Sequence, residues 1–252
     1  AYALVSFGSR AEEFEASFKY AIMGSISSTL ILVGIGITYS ATSTLTLAKI
    51  AQVIPDLDPA AVVWISSVFL AGFGLKAAII PFHAWLPDAH SSAPAPISSM
   101  LSGVLIKALG IYVIIRLFFT VLGVPEVMGV LLKVLGAVSI IVASLLAINQ
   151  WDMKRLLAYS SISQIGFIVL ALGIGTDLAL FGAVFHMLNH AVFKALLFYN
   201  AGAVEMYTGT RDLRQLGRLS GKMGVTRVTS MIGTLSVSGL PPFNGFFSKL
   251  VI

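Results

Sequence analysis

The long apolar runs of this chain constrain its fold more than any other feature. A transmembrane helix needs about 20 predominantly apolar residues. Seven segments meet that requirement, with short turns between most of them: 20–39, 60–82, 97–122, 127–148, 153–175, 178–204 and 228–252. Turn and cap signals such as 56–59 and 124–126 separate neighbouring runs. The sequence therefore predicts an all-α fold, a polytopic transmembrane bundle of about seven helices.

The composition agrees with a membrane protein and limits the chemistry of the chain. Only 11% of the 252 residues are charged and 57% are hydrophobic, whereas soluble domains carry about 25% charged residues. Cysteine is absent, which excludes disulfides, thiolate-held iron–sulfur clusters and Cys-based zinc sites within the chain. We therefore expect no cofactor and no metal in this chain. We also expect no nucleic-acid partner, because the basic residues do not form patches with exposed aromatic residues.

The chain is predicted to form a single membrane domain over residues 1–252, since no gap between the apolar runs could hold a soluble domain. It begins at Ala1 rather than at a methionine, and it ends at Ile252 directly after an apolar stretch. Both ends look cut. We expect the sequence to be the central part of a longer chain.

The distribution of basic residues predicts the orientation of the bundle. If the helices alternate in direction, one side holds only Lys49 and Arg116. The other side holds nine basic residues: Arg10, Lys19, Lys154, Arg155, Arg211, Arg214, Arg218, Lys222 and Arg227. Cytoplasmic loops of membrane proteins carry an excess of lysine and arginine. Residues 1–19 and the long polar loop 205–227 are therefore predicted to lie on the cytoplasmic side of a cell (inner) membrane.

Five lysines fall inside predicted spans: Lys76, Lys107, Lys133, Lys194 and Lys249. A lysine at the bilayer centre costs roughly 2.5–3.5 kcal/mol on insertion scales. Lys133 lies near a helix end, where its long side chain can reach the interface by snorkelling. The eleven acidic residues all map to loops or helix ends. We therefore expect the buried lysines to lack carboxylate partners within the chain, so that burial favours their release of protons.

Three titratable side chains share one face of a single predicted helix. His186, His190 and Lys194 follow i, i+4, i+8 spacing, and histidine changes charge near neutral pH. The pattern favours a proton wire over a stripe of interhelical hydrogen bonds. A haem site is less consistent with it, because two histidines on one helix face cannot bind one iron from opposite sides. His83, at the end of a span, could join the path, and His90 is expected in a loop.

Two of the predicted helices are interrupted by proline. Pro81 lies inside a span shortly after Lys76, and Pro241 and Pro242 interrupt the last span shortly before Lys249. Proline frees backbone groups that a membrane interior tolerates only where protein or water satisfies them. Paired interrupted helices indicate an ion site in transporters that are built from repeats. The mirrored order of lysine and proline suggests inverted repeats, and ordinary proline kinks are the alternative.

Three long motifs carry a resemblance to a known family. They are KAAIIPFHAWLPDAH at 76–90, followed by APAPIS at 93–98, DMKRLLAYSSISQ at 152–164, and SGLPPFNGFFSK at 238–249. Together they resemble the antiporter-like subunits of respiratory complex I, a family that includes Mrp-type sodium/proton antiporters and membrane-bound hydrogenases. Residues 101–107 resemble the Mrp and hydrogenase branch more closely than the mitochondrial one.

The resemblance implies a fold of inverted repeats, with a first repeat at about 1–122 and a second at about 126–252. It aligns Lys76 with the family's lysine on the first broken helix and Lys107 with the lysine on the next helix. It aligns Lys249 with the charged residue on the second broken helix. The helix that carries residues 186–194 corresponds to the one that links the two half-channels. The family's glutamate partner for the first of these lysines is expected upstream of residue 1.

The resemblance also implies a function. The chain is expected to be an ion-translocating membrane subunit, moving H⁺ or Na⁺, of a redox-driven complex whose electron transfer takes place in other subunits. Expected partners are other membrane subunits, including antiporter-like neighbours, a peripheral redox arm and the lipid bilayer. One alternative is a stand-alone Mrp-type sodium/proton antiporter subunit. The other is a structural or quinone-site membrane subunit that moves no ions.

Overall fold

The protein is described by a computed structural model that covers residues 2–7, 11–217 and 219–252. In that part of the chain the structure is all-α, as predicted. The helices are α1 (Tyr2–Val5), α2 (Ala11–Thr42), α3 (Leu47–Val53), α4 (Pro59–Ala77), α5 (Trp85–Ser92), α6 (Ala95–Leu122), α7 (Glu126–Ile148), α8 (Met153–Ile174), α9 (Asp177–Thr208), α10 (Gly224–Ser238) and α11 (Asn244–Val251). Short 3₁₀ turns occur at Ile54–Asp56 and Leu219–Gly221. Arg10 and Arg218, two of the basic residues used to predict the orientation, lie outside the described residues.

Six helices in the described ranges are long and apolar enough to cross a membrane: α2, α4, α6, α7, α8 and α9. The seventh predicted span, 228–252, is divided into α10 and α11. The protein is therefore a multi-pass membrane protein with six long helices and one that is interrupted. The interruption is the second of the two breaks expected from proline.

Glycine allows α7 and α8 to pack with their backbones almost in contact. A Cβ atom added at Gly136 would lie 2.5 Å from the backbone nitrogen of Leu170, and one added at Gly173 would lie 2.5 Å from that of Lys133. Small residues permit this close approach between membrane helices, where lipid supplies no hydrophobic drive for association. Most residues of α8 are buried on all sides. This helix is therefore the central element against which the functional side chains are placed.

The first break, residues 78–84, separates α4 from α5. Ala78 adopts a left-handed conformation with φ of 55° and ends α4. The backbone groups that are freed here find side-chain partners: Trp85 Nε1 donates to the Leu75 carbonyl at 3.0 Å, and Ser139 Oγ of α7 accepts from the Ile80 backbone nitrogen at 3.1 Å. Pro81 lies within the break. A break satisfied by protein groups in this way is the kind that a membrane interior tolerates.

The second break, residues 239–243, separates α10 from α11. Gly239, with φ of 77°, ends α10, and the prolines at 241 and 242 follow it. Lys249 Nζ crosses the break to donate to the Val237 carbonyl at 2.7 Å. The two half-helices touch at Gly245, where an added Cβ would lie 1.7 Å from the Ser236 carbonyl oxygen. Each break thus has a lysine on one of the helices that flank it, Lys76 on α4 and Lys249 on α11.

Helix α6 is not a regular α-helix, which the sequence did not predict. Its segments Leu101–Leu105, Lys107–Tyr112 and Phe118–Leu122 are π-helical. Each π turn inserts an extra residue into the helical ladder and rotates the faces of the helix. Lys107 lies at the start of the central π segment, so this irregularity helps to set the direction of its side chain.

The long polar loop is shorter than predicted. Helix α9 continues to Thr208, where Gly209 with φ of 75° ends it, and α10 begins at Gly224. The connection is therefore 209–223 rather than 205–227. Likewise, 11–19, predicted to precede the first span, is the start of α2, with acidic residues in its first turn that suit a helix N-terminus. Hydropathy alone underestimated both helices because it finds the membrane-embedded part and not the polar extensions.

Candidate functional site

The central feature of the candidate site is a buried polar face on α9. The side chains of His186, His190 and Lys194 each have no solvent exposure. The two imidazole rings lie nearly parallel, 12° apart, with centroids separated by 6.2 Å. The structure therefore places these three residues along one buried face, in the order predicted from their spacing.

Helix α8 supplies the hydrogen-bond partners of Lys194. The Lys194 Nζ atom donates to the backbone carbonyl of Leu157 at 3.0 Å and to the Ser160 hydroxyl. Both acceptors lie near the start of α8, where serine hydroxyls also bond back to the preceding turn. The ammonium group is satisfied by a carbonyl and a hydroxyl rather than by a carboxylate.

Lys107 is linked to the same part of α8 through a pair of serines, one on α6 and one on α8. Its Nζ atom, almost fully buried, donates to the Ser102 carbonyl of its own helix. The hydroxyls of Ser102 and Ser161 lie 3.2 Å apart, and Ser161 donates to the Leu157 carbonyl at 2.9 Å. Lys107 and Lys194 therefore lie around the same group, Ser102, Ser161 and the Leu157 carbonyl, which accepts from both Ser161 and Lys194. We refer to the two lysines and this group, together with His186 and His190, as the polar file.

The other end of the polar file contacts the second broken helix. The Nδ1 atom of His186 lies 2.9 Å from the Ser248 hydroxyl of α11. One turn along α9, the side-chain amides of Asn189 and Asn244 are hydrogen-bonded at 3.1 Å. Lys249, the residue after Ser248, has its Nζ atom 4.9 Å above the Phe167 ring, a distance at which an ammonium is attracted to the ring face. The polar file therefore reaches the second break.

Lys76 lies apart from the polar file. It is partly exposed, and its Nζ atom is 3.4 Å from the Ser28 hydroxyl of α2. It borders a cavity of about 160 Å³ whose wall includes Tyr20 and Trp85. The structure thus places Lys76 at the first break, next to a cavity, without a direct hydrogen bond to Lys107.

Lys133 is exposed on the outer face of α7. Neighbouring apolar side chains on this helix, including Val130 and Val134, are also exposed. In a membrane these positions face lipid, where a lysine near a helix end reaches the interface by snorkelling. This position agrees with the interpretation made from the sequence.

His90 was wrongly expected in a loop. It lies in α5, fully buried, with its ring stacked 4.6 Å from that of Phe198 on α9. Positive charges on Lys107, Lys194 and Lys154 act against protonation of this ring. Neither of its ring nitrogens has a hydrogen-bond partner within the described residues. The polar stretch around its motif concealed the short helix, which is recognisable only once it folds back into the bundle.

The sequence interpretation also did not predict an ion pair between α8 and α9. The Lys154 side chain is 3% exposed, and its Nζ atom lies 2.7 Å from Glu205 Oε2. The same Nζ donates to the Ala93 carbonyl, at the end of α5, at 3.2 Å. The sequence interpretation had placed both charges at a polar edge. One signal was available: Glu205 is eleven residues after Lys194, which returns it to the same face of α9.

Several further charges gather at this end of the bundle, which we call the basic end. Lys19 lies 2.7 Å from Glu15 and 3.0 Å from Asp88, and Arg155 lies 3.2 Å from Asp88. Arg211 approaches Asp152 at 3.2 Å. The contacts place on one end several of the residues that the sequence assigned to one side.

The connection 209–223 is anchored to the start of α8 at the basic end. The Leu213 backbone nitrogen donates to the Trp151 carbonyl at 2.9 Å, and the Arg214 guanidinium lies 5.6 Å from the Trp151 ring centroid. Hydrogen bonds from Arg214 lower the pKa of the Asp212 carboxyl to about 2. The Asp212 carboxylate therefore stays ionised over the ordinary pH range.

The chemistry available to the site is proton exchange. Imidazole and amine groups can each bind and release a proton, and serine hydroxyls can relay one. The described residues contain no cluster of three or more His, Cys, Asp or Glu side chains that could hold a metal ion. In the polar file, hydrogen bonds link the surroundings of Lys107 and Lys194, and the two histidine rings are stacked. Within the described residues, neither ring nitrogen of His190 has a hydrogen-bond partner.

Comparison with known proteins gives consistent results. The profile of the family described as "NADH:quinone oxidoreductase/Mrp antiporter, TM" matches residues 1–252. NADH-quinone oxidoreductase subunit N of Desulforudis audaxviator is 40% identical over 253 residues, covering 99% of this chain and 50% of that protein. An Na(+)/H(+) antiporter subunit of Alkalihalophilus pseudofirmus is 35% identical, covering 100% of this chain and 51% of that protein.

A solved structure agrees with this relationship. A chain of the membrane-bound sulfane sulfur reductase, an archaeal respiratory membrane complex, superposes with a TM-score of 0.92 at 36% identity. The match covers 99% of this chain and 52% of that one. The chain thus spans about half the length of the curated and structural relatives it matches.

Proposed function

The chain belongs to the NADH:quinone oxidoreductase/Mrp antiporter transmembrane family, and from that premise we propose that it is an ion-translocating subunit of a redox-driven membrane complex. In this proposal protons move through the polar file, while electron transfer takes place in other subunits. The chain itself needs no cofactor for this role. Its part is to hold titratable groups inside the membrane, where they are rare and costly unless they serve a function.

The observation that carries the proposal is the buried cluster at the centre of the polar file. Lys194 and Ser161 both donate to the Leu157 carbonyl, the Ser161 hydroxyl lies 3.2 Å from that of Ser102, and the Ser102 backbone carbonyl accepts from Lys107. Their partners are neutral, so no carboxylate locks either lysine in its charged form. A proton can therefore be held on either amine and passed to the next.

The histidines and the broken helices extend this route in both directions. From Lys194 it continues over the stacked rings of His190 and His186 to Ser248 and Lys249. At the other end, Lys76 beside the first break is the entry member. Breaks at Pro81 and at Pro241–Pro242 free backbone groups, and such sites accommodate water and ions in transporters. We assign 1–122 and 126–252 as the two inverted repeats, each with one break.

The proposal includes an orientation and a set of partners. The basic end would face the cytoplasm, because lysine and arginine are enriched there, with Lys19 and the connection 209–223 on that side. The partners would be other membrane subunits, including antiporter-like neighbours, and a peripheral redox arm. This is supported by a relative that is a subunit of NADH-quinone oxidoreductase and by a structural neighbour from a respiratory membrane complex.

A Lys107→Met substitution tests the proposal. Methionine keeps much of the volume of lysine but cannot carry a proton. In the full-length protein within its parent complex, in sealed vesicles, we expect ion accumulation per electron to fall roughly tenfold or more. The measurement is a pH-sensitive dye signal divided by the rate of electron transfer.

The matched control is Lys133→Met, which removes an exposed lysine from the outer face of α7 and should leave accumulation unchanged. Complex assembly is measured for both variants by the amount of protein recovered in the membrane. If Lys107→Met assembles normally and pumps as many ions per electron as the wild type, the proposal is wrong.

A second candidate is a stand-alone sodium/proton antiporter subunit. The specific observation in its favour is the 35% identity to an Na(+)/H(+) antiporter subunit over the whole chain. The same vesicles separate the two candidates. Proton movement driven by a sodium gradient, with no electron donor present, would favour the antiporter, and movement that requires electron transfer would favour the redox-driven subunit.

A further inference from the structure

We propose that Lys154 and Glu205 form a proton gate between the polar file and the basic end of the bundle. This inference rests on the proposed function, since a gate requires a path to open onto. It adds to the route two residues that the polar file does not include: Lys154, which lies within the motif at 152–164, and Glu205, which lies outside all three motifs. Because Lys154 lies on α8 and Glu205 on α9, the gate would connect the polar file to water at the basic end of these two helices.

The two partners of the ion pair differ in their access to water. The Lys154 side chain is 3% exposed, whereas that of Glu205 is 31% exposed. Glu205 borders an open, polar cavity together with Asp152 and Arg211. The carboxylate is therefore in contact with the aqueous side, and the amine that it holds lies inside the protein. Such an arrangement passes a proton across the boundary between the two environments.

Stability alone gives little reason for this pair. The free energy gained from a buried ion pair is largely offset by the cost of removing both charges from water. The pair is also asymmetrically supported: Lys154 has the Ala93 carbonyl as a second partner at 3.2 Å, and Glu205 has Arg211 Nε at 3.6 Å. Each partner can therefore separate from the other without losing every polar contact.

On the interior side, the pair is connected to the polar file by His90. The His90 ring is fully buried, and positive charges on Lys154, Lys194 and Lys107 act against its protonation, so in this proposal it holds an extra proton only transiently. Its two nitrogens have no partner within the described residues. It stacks on Phe198, one turn after Lys194 on α9. In the neutral ring one nitrogen can therefore accept a proton while the other releases the proton that it already carries.

The transfer conserves protons at every step. Water on the basic side gives a proton to the Glu205 carboxylate, which releases Lys154 from the ion pair. The Lys154 ammonium then transfers a proton to a nitrogen of His90, and Glu205 returns its own proton to the neutral amine, which restores the pair. The protonated His90 finally transfers its extra proton to a neutral Lys194. One proton has entered the file, and the reverse sequence releases one.

Other charges face the pair from each neighbouring element. Asp152 lies directly before α8, Arg211 lies in the connection 209–223, and His90 lies on α5. Asp88 and Arg155 pair with each other nearby, with side chains that are 25% and 43% exposed. Arg211 Nε, 3.6 Å from Glu205 Oε1, gives the carboxylate a second cationic neighbour beside Lys154.

The test is Glu205→Gln in the full-length protein within its parent complex. Glutamine keeps the size and a hydrogen-bond acceptor for Lys154 but cannot take up a proton. We expect normal assembly, a roughly tenfold loss of proton accumulation per electron, and loss of the infrared band of a protonated carboxyl that forms during turnover. Glu205→Asp, which can still be protonated, should recover part of the accumulation.

Two matched controls isolate the gate from general effects of charge. Glu15→Gln removes a carboxylate that is 67% exposed at the same end, and Arg155→Gln removes the cation next to Lys154. Both should pump as the wild type does. If Lys107→Met abolishes pumping but Glu205→Gln does not, the gate is wrong and the proposed function stands. If neither variant reduces pumping, both are wrong.

A double variant keeps the inference testable if Glu205→Gln fails to assemble because Lys154 is left buried and unpaired. Lys154→Leu/Glu205→Leu removes both charges, and replacing a buried ion pair by apolar residues is often neutral for stability. The gate predicts an assembled complex with a loss of pumping similar to that expected for Glu205→Gln. An assembled double variant that pumps normally would show that the pair is structural only.

Discussion

At the scale of single residues, the feature that most needs explanation is how a membrane interior holds lysines without carboxylates. Lys194 donates to a carbonyl and a serine hydroxyl, and Lys107 donates to a carbonyl. Either lysine can therefore lose its proton and still act as a hydrogen-bond partner. An ion pair would fix the charge and oppose transfer, whereas neutral partners leave the charge mobile.

The serine bridge between the two lysines makes a prediction at this scale. Ser161→Ala removes the hydroxyl that lies between Ser102 and the Leu157 carbonyl. We expect a stability loss of about 1 kcal/mol and a several-fold lower rate of proton accumulation, because the relay between Lys107 and Lys194 is interrupted. Thermal unfolding of the purified protein and the dye signal in vesicles measure the two effects.

Ser67→Ala is the control for this serine prediction. Ser67 lies on α4, is partly buried and bonds back to the Val63 carbonyl of its own helix at 2.7 Å. Its removal should have a similar, small effect on stability and none on transport. Equal transport by Ser161→Ala and the wild type would mean that protons pass by a route that does not use this hydroxyl.

The residues of the site differ in how well the sequence could identify them. The spacing of His186, His190 and Lys194 predicts a shared face because one helix carries all three. His90 and Lys154 become buried only when α5 folds back and α8 packs in the centre of the bundle. Such burial depends on contacts between distant segments, which a single sequence does not encode in its local pattern. The transport roles of all these residues stay predictions.

At the scale of helices, proline explains where the two breaks occur but not how they are stabilised. The first break depends on Trp85 and on Ser139, which comes from another helix. The second depends on Lys249, which reaches back across the break. The π-helical segments of α6 have no recognisable signal in composition or spacing, since their residues would equally suit a regular helix.

Gly245 provides the prediction at the scale of helices. An added Cβ would lie 1.7 Å from the Ser236 carbonyl oxygen, so Gly245→Ala must push α10 and α11 apart. We expect a loss of about 1–3 kcal/mol in stability and a lower unfolding temperature. Separation of the half-helices also moves Ser248 away from His186, so proton accumulation should fall.

Gly36→Ala is the matched control for the helix prediction. Gly36 lies within α2, and an added Cβ there meets no atom within 4 Å. Because alanine favours a helix more than glycine does, this variant should be as stable as the wild type or slightly more stable. If Gly245→Ala unfolds at the same temperature as Gly36→Ala, the close crossing of α10 and α11 does not contribute to stability.

At the scale of the whole molecule, composition and hydropathy were sufficient to predict the class of fold. Apolar runs of the right length predict spans because a bilayer forces backbone groups into helices. The same criterion could not show that α8 lies in the centre, since every run is similarly apolar. The close packing of α8 against α7 depends on glycine contacts between the two helices. Such contacts form only once these helices are neighbours, which the hydropathy of each run does not indicate. The division into two repeats stays a prediction.

The orientation of the bundle gives the last prediction. Gln215, in the connection 209–223, and Thr46, between α2 and α3, are both exposed and lie at opposite ends of the bundle. Because this chain contains no cysteine, either can be replaced by a single cysteine in a cysteine-free version of the full-length protein. We expect a membrane-impermeant maleimide to label Gln215→Cys only from the cytoplasmic side and Thr46→Cys only from the opposite side. The reverse pattern would place the basic end outside, and Glu205 would then exchange protons with the other compartment.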